Sequence, residues 1–166
     1  MVEISIGREP RWARSRPTSK RWRPHWRRWS AWQYAYGRID YIKPPQRGLV
    51  ERFTAVADAC DLPMILYNVP GRTGVDMHVD TVAELAKHPR IIDIKQATGD
   101  VARVPVLRDL CGDDSLLVSG DDATSLDFVA AGGDGVISVT TNIAPRQMQQ
   151  TMTLGKTDLA AAREID

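Results

Sequence analysis

Residues 91–97 read IIDIKQA, a short and largely apolar run of strand length. A near-continuous apolar run of this kind is typical of a strand buried on both faces, as in a parallel sheet covered by helices. Similar runs occur at residues 64–69 (MILYNV), 116–119 (LLVS) and 136–140 (VISVT). The sequence therefore predicts four buried parallel strands.

Between these runs, apolar residues repeat with the spacing of amphipathic helices. Helices are predicted from Leu49 to a stop near residues 61–63, at 80–86, 101–111 and 125–131, and from Pro145 to the C-terminus. Gly112 is the expected stop of the third helix, and Pro105 either lies in its first turn or kinks it. The pair Asp121-Asp122 is expected to cap the fourth helix rather than to bind a metal.

The regular alternation of helices and strands predicts an α/β fold. Four such units correspond to half of a (β/α)8 TIM barrel, which needs about 250 residues. A four-stranded doubly wound sheet is the alternative, but no glycine-rich turn opens the first βα unit, as a dinucleotide-binding fold would require. The glycine cluster at residues 132–135 precedes its strand, so it indicates a tight turn rather than a phosphate site.

Charge divides the 166-residue chain sharply, although its formal net charge is only +1. Residues 1–43 hold eleven of the 22 Lys and Arg, three acids and all five tryptophans, a formal charge of +8. Residues 1–40 show no helical or strand periodicity. The favoured interpretation is translation out of frame; the alternatives are a disordered tail and a basic arm that binds nucleic acid through phosphates and stacking.

The remaining composition predicts a soluble, cytoplasmic protein without a metal site. No apolar run approaches the roughly 18 residues of a membrane span, and the N-terminus lacks a hydrophobic signal core. Cys60 and Cys111 fit no ligand spacing and indicate thiols of a reducing compartment. The histidines, His25, His78 and His88, form no ligand pattern.

Lys95 is the most unusual residue, because it interrupts a strand of isoleucines. Strand alternation puts it on one face with Ile91, Asp93 and Ala97, near the carboxyl end where barrel enzymes keep their catalytic groups. Desolvation lowers the pKa of an ammonium group, and the neutral amine can attack a ketone to form an imine. The alternative is a structural lysine that extends to solvent from the strand end.

Two residues near the end of the preceding strand fit the same chemistry. Tyr67 could relay protons to and from a carbinolamine, although an aromatic residue in a strand is often only packed. Arg72 follows in the loop at the same end of the sheet, where a guanidinium suits a substrate carboxylate. A solvated loop arginine is the alternative.

Three stretches go beyond a generic barrel pattern and resemble the dihydrodipicolinate synthase family, a branch of the pyruvate-dependent class I aldolases. They are residues 66–74 (LYNVPGRTG), 94–100 (IKQATGD), and SGDD at 119–122 with GVISV at 135–139. The resemblance runs from about Lys43 to the end. It implies a half TIM barrel over residues 41–166 that covers about strands 5–8 and their helices.

The resemblance implies a lyase that condenses pyruvate with aspartate semialdehyde in diaminopimelate and lysine biosynthesis. Lys95 would form the Schiff base with pyruvate, Tyr67 would relay protons, and Arg72 would bind the carboxylate of the semialdehyde. The backbone around Gly120 and Ile137 would shape the pyruvate pocket. No cofactor is implied beyond the covalent imine. The implied partners are the two substrates and further copies of the chain, because family members are commonly homotetramers.

Before Lys43 the sequence departs from the family, which usually has the motif Thr-Pro-Tyr-Tyr-Asn. Only Tyr41 of this motif is present here, and the resemblance implies that it would reach into a neighbouring subunit's site. The family's first four strands, with a threonine that serves the tyrosine relay, have no counterpart. We therefore expect a site that retains imine chemistry in a chain with little synthase activity. The alternatives are another pyruvate-dependent aldolase, of the sialic acid lyase or sugar-acid aldolase type, and a non-catalytic fragment.

Overall fold

The computed structural model describes residues 43–59 and 61–166. The basic segment 1–40, Tyr41 and Cys60 lie outside these residues. The expectations for them therefore remain predictions.

Within the described residues, helices and strands alternate along the chain as predicted. The strands are β1 (Met64–Asn68), β2 (Ile91–Gln96), β3 (Leu116–Ser119) and β4 (Gly135–Val136). The α-helices are α1 (Gln46–Asp58), α2 (Pro70–Thr73), α3 (Val79–Leu85), α4 (Arg103–Cys111), α5 (Ser125–Ala130), α6 (Pro145–Leu154) and α7 (Leu159–Arg163). Two short 3-10 helices cover Asp122–Thr124 and Thr140–Asn142.

The strands form one parallel sheet in the order β1-β2-β3-β4. Each strand therefore pairs with its neighbour in the sequence, and the order never reverses. A doubly wound sheet has a point at which the strand order reverses, whereas a barrel adds its strands in sequence. The observed order therefore favours the partial barrel over the doubly wound alternative.

The two faces of the sheet have different surroundings. Leu66, Ile94 and Leu117 are paired across β1, β2 and β3 and are at most 2% exposed. They belong to a core cluster that includes residues of α1, α3, α4 and α5, so this is the helix-covered outer face. The opposite, inner face carries two paired rows of side chains: Ile65, Asp93 and Leu116 in one, and Tyr67, Lys95 and Val118 in the next.

One residue departs from the predicted alternation in β2. The pairing of β1 with β2 shifts after Met64, which pairs with Ile91, whereas Ile65 pairs with Asp93. As a result, Ile91 packs in the outer core cluster with Ile94. The expectation that Ile91 shares a face with Asp93 and Lys95 was wrong because the strand is irregular at its start.

The last strand is shorter than predicted, since β4 ends at Val136 and Val139 is 79% exposed. The carboxylate of Asp122 accepts hydrogen bonds from the backbone N–H groups of Val139 (3.1 Å) and Thr140 (2.9 Å). These groups are therefore directed to a side chain instead of a neighbouring strand. The prediction that the Asp121-Asp122 pair caps α5 was also wrong, because no side chain caps that helix.

Proline and glycine lie at the helix positions that the sequence predicted, but the last predicted helix is divided into two. Pro105 lies in the first turn of α4, Gly112 ends that helix with a φ of 77°, and Pro145 begins α6. The single C-terminal helix that the sequence predicted is instead α6 followed by α7. Asp158 begins the second of these by accepting a hydrogen bond from the Ala161 N–H at 3.1 Å.

Candidate active site

Tyr67 and Lys95 are direct neighbours on the inner face of the sheet. Tyr67 of β1 pairs with Lys95 of β2, which in turn pairs with Val118 of β3. All three lie toward the carboxyl ends of their strands, the end at which barrel enzymes place catalytic groups. The half-buried Lys95 Nζ lies 4.4 Å from the centroid of the Tyr67 ring, within the range of a cation–π interaction.

Gly120 leaves the space that the Lys95 side chain occupies. A Cβ atom at position 120 would lie 2.6 Å from Lys95 Cε and 3.0 Å from its Cγ. The backbone N–H of Gly120 donates to the Gln96 carbonyl at 2.7 Å, which fixes this close approach. The N–H of Ile137 donates to the Ser119 carbonyl at 2.9 Å, so the half-buried Ile137 follows β4 at the same end of the sheet.

Burial and two nearby charges set the ionisation of the lysine–tyrosine pair. Desolvation lowers the pKa of the Lys95 ammonium, the Asp122 carboxylate opposes this, and the Arg72 guanidinium adds to it. Desolvation raises the pKa of the Tyr67 phenol, while Arg72 lowers it. The site therefore combines an amine that deprotonates more readily than usual with a phenol that retains its proton.

Arg72 lies in the one-turn helix α2, immediately after β1, and its side chain is exposed. The sequence predicted a loop here, but Pro70 begins a helical turn and Gly74 ends it with a φ of 67°. The structure thus brings Arg72 within electrostatic reach of both Tyr67 and Lys95.

Several polar groups around this site were not recognised in the sequence. The Asn68 side chain forms hydrogen bonds with the Met77 backbone and the Asp76 carboxylate, and Asp76 forms an ion pair with Arg103. Asp76 and Arg103 are 27 residues apart, so no local motif could have revealed the pair. Only the βα repeat, which brings equivalent loops together, connects them in space.

Two carboxylates near Lys95 are unusual. Asp122 keeps one oxygen buried without a hydrogen-bond partner among the described residues. Burial opposes ionisation of Asp122, yet hydrogen bonds from Ser138, Thr140 and Val139 lower its pKa below the usual value. Asp93, in the next row of the inner face, is 6% exposed, and burial raises its pKa well above the usual value.

Among residues 43–59 and 61–166, no group of three or more His, Cys, Asp or Glu side chains is arranged to hold a metal ion. No helix of this part of the chain is long and apolar enough to cross a membrane.

Comparison with known proteins identifies similar chains. The profile of the "Dihydrodipicolinate synthetase family" matches residues 40–166. The 4-hydroxy-tetrahydrodipicolinate synthase of Pseudoalteromonas atlantica is 54% identical over 127 residues, which are 76% of this chain and 43% of that protein. The enzyme of the same name from Shewanella pealeana is 58% identical over 109 residues, 66% of this chain and 37% of that protein.

Solved structures agree with the sequence comparison. The chloride-inhibited dihydrodipicolinate synthase of Acinetobacter baumannii, complexed with pyruvate, superposes with a TM-score of 0.71 at 46% identity. The match covers 74% of this chain and 43% of that one. The predicted α/β fold of a partial barrel is confirmed, and the chain spans less than half the length of these relatives.

Proposed function

This chain belongs to the dihydrodipicolinate synthetase family, and we propose that its inner-face site forms an imine with pyruvate and condenses it with aspartate semialdehyde. This is the reaction of a 4-hydroxy-tetrahydrodipicolinate synthase, a lyase of diaminopimelate and lysine biosynthesis. Both relatives described above carry the name 4-hydroxy-tetrahydrodipicolinate synthase, which supports this proposal. The chain spans 43% or less of these relatives, so we expect imine formation at Lys95 with little turnover of the full synthase reaction.

The first step is attack by the Lys95 amine on the keto carbon of pyruvate. Burial and the Arg72 charge favour the neutral amine that this attack needs. The carbinolamine loses water to give an imine, and loss of a methyl proton gives an enamine. The enamine carbon then attacks the aldehyde carbon of the second substrate, and the aldehyde oxygen takes up a proton to become a hydroxyl group. The amino group of the semialdehyde then adds to the imine carbon and displaces the Lys95 nitrogen, which closes the ring and returns the free amine. The reaction requires no resident cofactor, because the imine nitrogen itself accepts the electron pair.

The other site residues take roles that fit their positions. The Tyr67 hydroxyl delivers a proton to the leaving oxygen of the carbinolamine, because its raised pKa keeps it protonated. Arg72, exposed in α2 after the carboxyl end of β1, pairs with the carboxylate of the semialdehyde. The backbone at Gly120 and Ile137 borders the space beside Lys95 in which pyruvate binds.

One observation carries the proposal: the Lys95 amine lies 4.4 Å from the Tyr67 ring, in a place kept open by Gly120. A structural lysine at a strand end would extend to solvent. Lys95 is instead half-buried against an aromatic side chain on the inner face of the sheet. That arrangement favours an amine used for chemistry.

Borohydride reduction in the presence of pyruvate tests the proposal. Reduction of the imine converts it into a stable secondary amine, so the chain should gain the mass of pyruvate less one oxygen atom. Peptide mass spectrometry should locate the addition on Lys95. An aldehyde-dependent assay of turnover, run in parallel, measures whether the condensation follows imine formation.

Two lysine substitutions provide the control. Lys95→Arg keeps the positive charge but cannot form an imine, so the adduct should disappear. Lys87→Arg alters an exposed lysine after α3 and should leave adduct formation unchanged. If the wild-type chain gains no mass at Lys95, the proposal is wrong.

We further infer that the protein works in the cytoplasm as a homo-oligomer, in which Tyr41 contributes to a neighbouring subunit's site. The family resemblance supports this assembly, and the reducing compartment suits an unpaired Cys111. Sedimentation equilibrium measures the assembly, and a monomer at all concentrations would contradict it.

A further inference from the structure

The loop that carries Arg72 is bound back onto the strand from which it emerges. The Asn68 side chain accepts a hydrogen bond from the Met77 N–H at 3.0 Å and donates to the Met77 carbonyl at 3.2 Å. Asn68 is only 2% exposed, so these bonds are shielded from water. Because Asn68 directly follows Tyr67, the loop begins and ends beside the proposed proton relay.

The turn within this loop is closed by its own hydrogen bonds. The Thr73 hydroxyl lies within hydrogen-bonding distance of two acceptors for its one proton, the carbonyls of Val69 (3.2 Å) and Val75 (3.0 Å). The N–H of Gly74 donates to the Pro70 carbonyl at 2.9 Å. The backbone of Arg72 is therefore part of a hydrogen-bonded turn, and its place depends on how the loop is anchored.

Asp76 is the outer anchor of the loop. Its carboxylate accepts hydrogen bonds from both terminal nitrogens of Arg103, at 2.8 Å and 2.5 Å, and from the Asn68 amide at 2.9 Å. A guanidinium that binds a carboxylate through two parallel bonds fixes orientation as well as distance. The backbone carbonyl of Asp76 also accepts a bond from the Gln46 amide at 2.8 Å, which links the loop to α1.

Arg103 connects this anchor to the strand that carries Lys95. It is the first residue of α4, the helix that follows β2, and its Nε also donates to Asp100 in the intervening loop at 3.2 Å. The Asp76–Arg103 side chains are 32% and 22% exposed, so water screens the pair only in part. The loop after Tyr67 is thereby bound to the loop after Lys95.

We propose that Asp76 and Arg103 are positioning residues, which hold the Arg72 turn at a fixed place relative to Lys95 and Tyr67. This inference rests on the proposed function, because its readout is imine formation at Lys95. The pair itself hydrogen-bonds to Asn68, Gln46, Met77 and Asp100. It acts through Arg72, whose charge reaches both of them.

A pH profile distinguishes positioning from a direct effect of charge. The groups that act on Lys95 are Tyr67 from β1, Arg72 from α2 and Asp122 after β3. If the Arg72 turn moves away, Lys95 loses a neighbouring positive charge and its pKa rises, so adduct formation shifts to higher pH. Asp76→Asn removes a negative charge, and its direct effect would be a shift to lower pH. The two explanations predict opposite directions.

The experiment measures borohydride-trapped pyruvate adduct on the full chain as a function of pH. Asp76→Asn should move the midpoint upward by about 0.3 pH unit, the size expected of a partly screened charge. Arg103→Lys keeps the charge but cannot form the two-pronged contact, and it should move the midpoint in the same direction. In an Arg72→Gln background, Asp76→Asn should give no further upward shift.

Asp127→Asn is the matched control, because it breaks the Arg163–Asp127 ion pair, an exposed pair of two other helices. It should leave the midpoint unchanged. If the Asp76→Asn variant does not fold, the pH midpoint of adduct formation in Arg103→Lys alone tests the inference. A midpoint that stays in place or moves to lower pH overturns the inference while imine formation stands. Absence of adduct in the wild-type chain overturns the proposed function itself.

Discussion

Lys95 reaches from the inner face of β2 to the Tyr67 ring through a space that any larger residue at position 120 would fill. The constraint is steric, since the nearest atoms to a Cβ at that position are Lys95 Cε and Cγ and the Cβ of Ala97. The lysine side chain is flexible and could move aside. It would then lose its position beside the phenol.

Gly120→Ala should therefore reduce the rate of pyruvate trapping by roughly 10²-fold, because a displacement of about 1 Å in a reacting group has an effect of this size. Gly71→Ala is the matched control, since a Cβ at position 71 meets no atom within 4 Å. Trapping rates by mass spectrometry and thermal unfolding of both variants test this. Equal rates for the two alanine variants would contradict the steric explanation.

Asp93 shows the opposite situation, a polar residue in a place that suits an apolar one. It pairs with Ile65 and Leu116 on the inner face, and one of its oxygens has no hydrogen-bond partner among the described residues. Burial raises its pKa well above the usual 3.8, and the nearby Asp134 raises it further. The folded protein therefore holds a proton on Asp93 that the unfolded chain releases.

The sign of the resulting pH dependence follows from proton binding. From about pH 3.8 up to the raised pKa, the folded state binds more protons than the unfolded state, so stability falls as the pH increases. Asp93→Asn removes this ionisation, so the variant should lack that slope and be the more stable protein at pH 7. Urea unfolding at several pH values measures both slopes, and parallel curves would contradict the prediction.

At the scale of the elements, the turn between α5 and β4 depends on a very close approach. Gly133 lies against Phe128, whose ring would be 2.2 Å and whose carbonyl oxygen 2.8 Å from a Cβ at position 133. Phe128 is 3% exposed and belongs to the outer core cluster, so it has little freedom to move. The glycine cluster thus serves the tight turn that its position before the strand predicted.

Gly133→Ala should destabilise the protein by about 1–3 kcal/mol, the usual effect of forcing extra volume into a packed core. Gly48→Ala provides a comparison, because it lies in the helix α1 and its Cβ would make only an ordinary contact of 3.4 Å with Pro44. The helix propensity of alanine should make that variant more stable by about 0.5 kcal/mol. Chemical denaturation measures both, and a neutral Gly133→Ala would show that Phe128 can yield.

The strands β1 to β3 could be predicted because a buried parallel strand leaves an apolar run. The end of β4 could not, since the backbone there is bound by Asp122, a residue 17 positions away from Val139. The irregular start of β2, the helical turn α2 and the start of α7 were missed for a similar reason. Each depends on a local hydrogen bond or register shift that apolar periodicity does not encode.

The site shows the same division between local and distant information. Lys95 could be singled out from its strand, and alternation placed it on a face with Asp93. Its contact with Tyr67 required the register between strands, which the sequence does not state. The Asp76–Arg103 pair was invisible, because two charged loop residues far apart in sequence are usually solvated.

At the scale of the whole molecule, the family profile matches residues 40–166. The basic N-terminal segment precedes that match. The groups that the proposed reaction uses, at Tyr67, Arg72 and Lys95, all belong to the matched residues.

A chain that begins at residue 40 should therefore form the pyruvate adduct at the same rate as the full chain. Binding to single-stranded DNA at low and high salt, measured on both chains, tests the nucleic-acid alternative for residues 1–40. Loss of the adduct from the shorter chain would assign the N-terminal segment a part in the site. Salt-sensitive binding by the full chain alone would support a basic arm.

The sequential strand order also has a consequence for how the protein is made. Tyr67 and Lys95 pair across 28 residues, Lys95 and Val118 across 23, and Ser119 and Val136 across 17. Among the described strands, β2, β3 and β4 each pair with the strand synthesised just before, so the loop to be closed stays short at each step. The pairing of β1 with β2 can therefore form while later elements are still being added, and the lysine would then be beside its tyrosine before the last helices are made.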